Sequence, residues 1–255
     1  MRIISRLSVL LLISLVWTGN VLALGVEAAV GAWGPTANGS LAYHSLTATD
    51  NFDLAHEAGL AREPNWGGRI KVDLPILPDL YFQGTPLAFS GNGSKDNGFS
   101  FGGQTFAAGV PVKAKLVLDH YDLGLIFGVP LLETATLKTV NVDFGIIVRR
   151  QEVRAELSQA ETGQFARFAE TYYLPMGYLA AQVRLLRKIS LEAELCGLTY
   201  RGDHYYDLVG RVHFDLPGPL FLAGGWRYQK IEFTENGIQA AVDFSGPFAE
   251  VGFGL

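Results

Sequence analysis

The stretch YRGDHYYD, residues 200–207, sets Asp203 and Asp207 beside His204. A histidine next to a carboxylate is the smallest set for general-base chemistry: the acid orients the ring, and the other ring nitrogen takes a proton. A peptidase site is the reading this pair invites. His120 with Ser90, Ser94 or Ser100 would be the corresponding set for an esterase, with a serine nucleophile. Neither set is extended by the rest of the chain. No second acidic pair accompanies His204, and no nucleophile elbow or oxyanion motif surrounds the serines. His44, His56 and His213 read as loop or interior residues. The five histidines and the single cysteine, Cys196, lack metal-ligand spacing. No catalytic residue, metal or cofactor is therefore expected.

A second group of residues points to interior electrostatics instead. Glu27, Arg69, Lys71, Asp73, Arg184, Glu192, Glu194, Arg211, Arg227 and Glu250 each alternate with apolar neighbours. If their segments are strands, the charges share one face and the aliphatics the other. Charges gathered inside a narrow barrel must be paired or wetted. The primary reading is a plugged, salt-bridged lumen. The alternative is a narrow passive pore for ions or small solutes, and an outer-membrane hydrolase comes third.

The elements that would carry these residues recur along the chain as alternating segments. Asn65–Leu77 sets Trp66, Ile70, Val72, Leu74 and Ile76 against Arg69, Lys71 and Asp73. Leu24–Trp33, Leu80–Phe89, Val112–Phe127, Val140–Arg149, Gly177–Leu185, Leu191–Thr199, Tyr205–Leu216, Leu220–Phe233 and Ile238–Leu255 complete the set. Tight links at 77–79, 187–189 and 217–219, with a longer one at 128–138, alternate with links at 34–64, 90–111, 156–171, 201–204 and 235–237. The fold class is therefore all-β. It is a closed antiparallel transmembrane β-barrel of about ten strands (eight or twelve as alternatives), with short periplasmic turns and longer extracellular loops. Residues 50–63 (DNFDLAHEAGLARE) are predicted as a short helix, SGNGSKDNG at 90–98 as a flexible exposed tip, and NGS at 38–40 and 92–94 as turns. Trp33, Trp66, Tyr81, Tyr172, Tyr173, Tyr200, Tyr205, Tyr206 and Trp226 are expected at the lipid–water boundaries.

Composition agrees. Hydrophobic residues make up 49% of the 255, yet no run after the first 23 is apolar enough for a spanning helix, so they must be dispersed on alternate positions. The formal net charge is −5, without basic runs, which argues against nucleic acid as a partner. Arg2 and Arg6, the apolar run Leu7–Val16 and the small Ala23 predict a secretory signal peptide over residues 1–23 and a barrel over 24–255.

The tail VDFSGPFAEVGFGL alternates to its last residue. Its apolar face uses Ile238, Ala240, Val242 and Phe244, then Ala249, Val251, Phe253 and Leu255, so a β-bulge is predicted at Gly246-Pro247. Phe248, Val251, Phe253 and Leu255 resemble the C-terminal insertion signal of outer-membrane proteins, with Leu at the end where that signal usually has Phe or Trp. LDHYDLGLIF (118–127), LPMGYLAAQVRL (174–185), YRGDHYYDLVGRVHFDL (200–216), AGGWRYQKIEF (223–233) and the tail are together similar to a proteobacterial family of small single-chain outer-membrane β-barrel proteins. The resemblance implies location and fold and supplies no activity. It implies, as partners, outer-membrane lipid and lipopolysaccharide, and the barrel-assembly machinery and periplasmic chaperones during biogenesis. The function expected is that of an integral outer-membrane barrel with a structural or surface role.

Overall fold

A computed structural model describes residues 25–75, 77–129, 132–137 and 139–255. The predicted signal peptide lies outside these. Along the chain run β1 (Gly25–Trp33), β2 (Thr36–Tyr43), β3 (Phe52–Asp53), β4 (Asn65–Asp73), β5 (Asp79–Thr85), β6 (Ala88–Gly93), β7 (Phe99–Phe101) and β8 (Gln104–Phe106). They are followed by β9 (Val112–Val117), β10 (His120–Gly128), a one-turn helix α1 (Leu132–Ala135), β11 (Val140–Gln159), β12 (Gln164–Leu186), β13 (Ile189–Tyr200), β14 (Asp203–Asp215), β15 (Leu220–Glu235) and β16 (Ile238–Gly254).

These strands make ten staves. β1 and β2 form one stave, because both pair antiparallel with β16: Trp33 faces Phe248 and Thr36 faces Ser245. Pro35 interrupts the ladder between them, as a residue without an N–H must. β5 continues into β6 across Pro86, and β9 into β10 across Leu118-Asp119, where the Asp119 carboxylate receives the Leu87 amide at 2.9 Å. Pairing runs from β1 through β4, β5, β10 and β11 to β16 and returns to β1, so the antiparallel sheet closes and has no edge to expose to lipid. Among the described residues no helix is long and apolar enough to cross a membrane; strands do so.

The outer face of the lower half is apolar. Ile70, Phe82, Leu123, Leu125, Phe144, Ile146, Val148, Leu179, Val212, Leu222 and Val251 are all exposed. On β11 this band occupies residues 144–148, and Arg150 is the next outward residue. A transmembrane strand needs about 9–11 residues. β11 has 20 and β12 has 23, so both rise well beyond the apolar band. The predicted 156–171 loop is instead the upper part of this hairpin, with a turn at 160–163.

The rise explains Pro247. β15 and β16 hold one register from Leu220–Phe253 to Glu235–Ile238, so there is no bulge. Even-numbered residues of β16 face inward throughout. What changes is the solvent: below Pro247 the outward residues are apolar and Glu250 points inward; above it Gln239 and Asp243 point out while Ala240, Val242 and Phe244 are buried.

Several loop predictions also change. Residues 50–63 form no helix. A single 3₁₀ turn, Ala48–Asp50, leads into β3, which pairs with β2, and Leu60 bridges to Gly91 of β6. β4 stops at Asn65, so this segment fills the gap that β4 leaves in the upper wall, and backbone pairing outweighs local helix propensity. Asn38–Ser40 and Asn92-Gly93 lie in β2 and β6 rather than in turns. Gly39 sits at φ +96°, where a Cβ would meet the Ala241 carbonyl at 2.0 Å. Lys95, predicted on a flexible tip, is buried and reaches the Asn51 carbonyl and the Glu57 carboxylate.

Candidate functional site: the barrel interior

The interior has three levels. At the bottom, three cations each sit among several carboxylates. Arg69 bonds Glu27 and, at 3.0 Å, Glu250. Arg211 reaches Glu194 at 2.8 Å and Glu192 at 3.3 Å, with Glu250 at 3.8 Å. Lys71 faces Asp143 at 3.0 Å, Asp79 at 3.4 Å and Asp73 at 3.7 Å. Carboxylates outnumber cations here, so the level is acidic. Arg184 is not brought in. It lies exposed at the lower end of β12, where the register slips, and makes no ion pair among the described residues.

The middle level is a belt across the lumen. Arg149 donates to both oxygens of Asp122, at 2.7 Å each, and to Asp207 at 2.8 Å. Arg227 donates to both oxygens of Asp207, at 2.9 and 2.6 Å. Arg149 and Asp122 are each only 1% exposed. Two planar guanidiniums against two carboxylates leave the belt neutral, and the bidentate geometry offsets the desolvation. The Arg227 guanidinium also stacks over Trp33, 4.8 Å from the ring centroid. It approaches His120 Nε2 at 3.0 Å. Arginine can only donate, so Nε2 accepts, and Nδ1–H points to the Leu118 carbonyl at 3.4 Å. Above this, the Tyr205 hydroxyl donates to Gln151 at 2.8 Å and accepts from Gln229 at 2.9 Å.

The upper level is apolar. Leu41, Leu116, Leu118, Val153, Leu157, Phe168, Ile231, Val242 and Phe244 are buried in one cluster. The β7–β8 hairpin closes its top. Phe99 stacks between Phe52 and Phe106, at 4.9 and 5.0 Å. Asp50 ties this lid to the loop before it, accepting from the amides of Leu46, Thr47 and Ser100 at 2.7–2.8 Å. Burial pushes the Asp50 carboxyl up, but these bonds outweigh it and hold the group below its ordinary range.

The cap is incomplete on one side. β13 and β14 form a short hairpin, so residues 164–176 of β12 have no partner on that side. The wall dips there, and Tyr172 of β12 and Phe233 of β15 face each other across the notch with centroids 5.7 Å apart. Behind it lies a chamber of about 180 Å³. Its walls include Leu116, Val153, Leu174, Leu198 and Ile231, and Asp203, Glu232 and Glu235 stand at its mouth.

The expected chemical pairs do not assemble. On β14, residues 203, 205 and 207 share one face and 204 and 206 the other. Asp207 therefore points into the belt, Asp203 accepts from the Thr234 amide, and the His204 ring has Thr199 Oγ1 at 3.3 Å. Ser90 donates to Glu63, and no described hydrogen bond joins His120 to a serine. Of the aromatics, Trp66, Tyr173 and Trp226 are exposed on the outer face, Tyr200 is exposed at the rim on the lumen side of β13, and Trp33, Tyr81 and Tyr205 are buried inside. Asp122, Arg149 and Asp207 stood outside the expected network. The signal for them was present: each alternates with the outward residues Leu123, Val148 and Leu208.

No protein-family model matches the sequence, and no curated protein does either. Among solved structures, the chain is similar to the outer-membrane protease OmpT of Escherichia coli, with a TM-score of 0.50 at 11% identity over 92% of this chain and 99% of that one. It also aligns with the translocator domain of the autotransporter NalP of Neisseria meningitidis, with a TM-score of 0.39 at 12% identity over 98% and 94% of the two chains. The first likeness establishes the fold and nothing about chemistry. The chain has the closed antiparallel ten-stranded barrel of outer-membrane proteins.

Proposed function

We propose that the protein is an integral outer-membrane barrel that does not conduct and that serves a structural or surface role. Its lower half spans the bilayer and its upper half stands outside as a capped extension. The observation that carries this reading is the belt: Arg149, buried to 1% exposure, bridges Asp122 and Asp207 across the lumen. Small cavities of about 90 and 70 Å³ line the lumen near this belt and the acidic level beneath it, and they are too small for solutes larger than a few waters.

Planar-bilayer recording of the refolded protein tests this. The native chain is expected to show no unitary conductance. The double variant Arg149→Ala/Arg227→Ala is expected to open cation-selective steps, because the acidic lower level and the two freed aspartates then line the path. Steady conductance by the native protein would replace this reading with the passive pore. Recognition of Phe248, Val251, Phe253 and Leu255 by the assembly machinery belongs to the same proposal. Deleting residues 252–255 also removes the pairs of Ala29 with Gly252, Ala28 with Phe253 and Glu27 with Gly254 that close the barrel. The truncated chain is expected to be missing from the outer membrane on cell fractionation.

A further inference from the structure

The chamber behind the notch is built like a ligand site. Pockets for small molecules are mostly apolar with a few placed polar groups, and barrel mouths are a common place for them. This one joins aliphatic walls to one buried, unsatisfied polar atom. The Tyr172 hydroxyl is buried and has no hydrogen-bond partner among the described residues. Leaving such a group unpaired in a folded protein is costly, so it points to a partner that is not part of the chain.

The mouth indicates the sign of that partner. Among the described residues, the acids lining the chamber are Asp203, Glu232 and Glu235, with His204 beside them, and no lysine or arginine lines it. Lys230 pairs with Glu232 at 2.9 Å and Arg201 stacks on Tyr200, whereas Glu235 makes no ion pair among the described residues. The rings of Tyr172 and Phe233 pack against each other in the chamber wall and add aromatic surface, which attracts a cation. A chamber of about 180 Å³ compares with roughly 150 Å³ for an apolar cavity that takes one benzene ring.

We propose that this chamber binds a small amphiphilic amine, its single ring or short alkyl body held among Leu116, Val153, Leu174 and Ile231. Its ammonium donates to the Tyr172 hydroxyl and faces Glu235. The chamber lies above the arginine–aspartate belt, so the inference does not depend on whether the lumen conducts.

The test uses the full chain refolded into phosphatidylcholine nanodiscs, titrated calorimetrically with 2-phenylethylamine, 2-phenylethanol and 3-phenylpropionate. The amine is expected to bind saturably, and about fivefold or more tighter than the anion. Glu235→Gln, at the exposed mouth, should weaken the amine several-fold and leave the alcohol unchanged. Tyr172→Phe should weaken amine and alcohol alike. Leu174→Trp should fill the chamber and abolish both, and Glu235→Gln still decides the matter if that variant does not fold. Four results would overturn the proposal: no saturable amine binding, as when a lipid chain already occupies the chamber; anion binding as tight as the amine; a Glu235→Gln protein that binds the amine as tightly as the native chain; or a folded Leu174→Trp protein that still binds.

Discussion

The two halves of β11 are one strand in two solvents. In the lower half Phe144, Ile146 and Val148 face outward and Asp143 and Arg149 inward; in the upper half Arg154 and Glu156 face outward and Val153, Ala155 and Leu157 inward. The pleat never changes phase. The lower half is surrounded by lipid, so its outside is apolar and its charges gather in the lumen. The upper half is surrounded by water, so it follows the ordinary rule of a soluble barrel, with its apolar residues inside. Different groups consequently fill the two ends of the lumen: ion pairs below and packed side chains above.

The largest effect is expected at the belt. Arg149→Ala leaves Asp122 and Asp207 short of one guanidinium in a dry interior. It is expected to cost about 3–5 kcal/mol in urea unfolding from lipid vesicles. A loss of less than about 1 kcal/mol would mean that the lumen is wet at this level.

Ile146→Arg places a charge on the lipid face and is expected to cost about 2–4 kcal/mol in the same assay. The matched change in the upper half, Arg154→Leu, alters an outward residue whose one ion pair among the described residues is with Glu152. It is expected to shift stability by no more than about 0.5 kcal/mol. Equal effects at the two positions would put the membrane boundary somewhere other than Arg150.

Asp50→Asn acts on the upper cap alone. It weakens three amide hydrogen bonds to a carboxylate and is expected to cost about 1–2 kcal/mol locally. The effect should appear as faster hydrogen exchange in residues 44–64 and 98–107, with the belt unchanged. The native carboxyl titrates below its ordinary 3.8, so the folded cap binds this proton less readily than the unfolded segment. The stabilisation is therefore fully present above that pH and is lost as pH falls through the lower folded value. Native exchange should accelerate in that acid range, and the Asn variant should lack this particular dependence.

Strand periodicity, the count of staves and the lipid-facing residues of the lower half, such as Ile70, Ile146 and Val251, were legible in the chain, because alternation over about ten residues between turn signals is the mark of strands with two unlike faces; Ile238, Ala240, Val242 and Phe244, read on the same outer face, are instead buried inside. Most of the lower charges were legible for the same reason: Arg69, Lys71, Arg211 and Glu250 each sit opposite an apolar face. Which charge meets which was not, since partners such as Arg69 and Glu250 are 181 residues apart and depend on how the barrel closes. The phase reversal at Pro247 was visible in sequence, but a bulge and a change of solvent write the same pattern. Only the unbroken β15–β16 register separates them. The extent of β11 and β12 was hidden likewise, because Glu152–Gln159 looks polar until Val153, Ala155 and Leu157 are given a core to face. The notch above β13–β14 and the chamber behind it follow from unequal hairpin heights. No local pattern encodes that difference, because it exists only once neighbouring staves stand side by side.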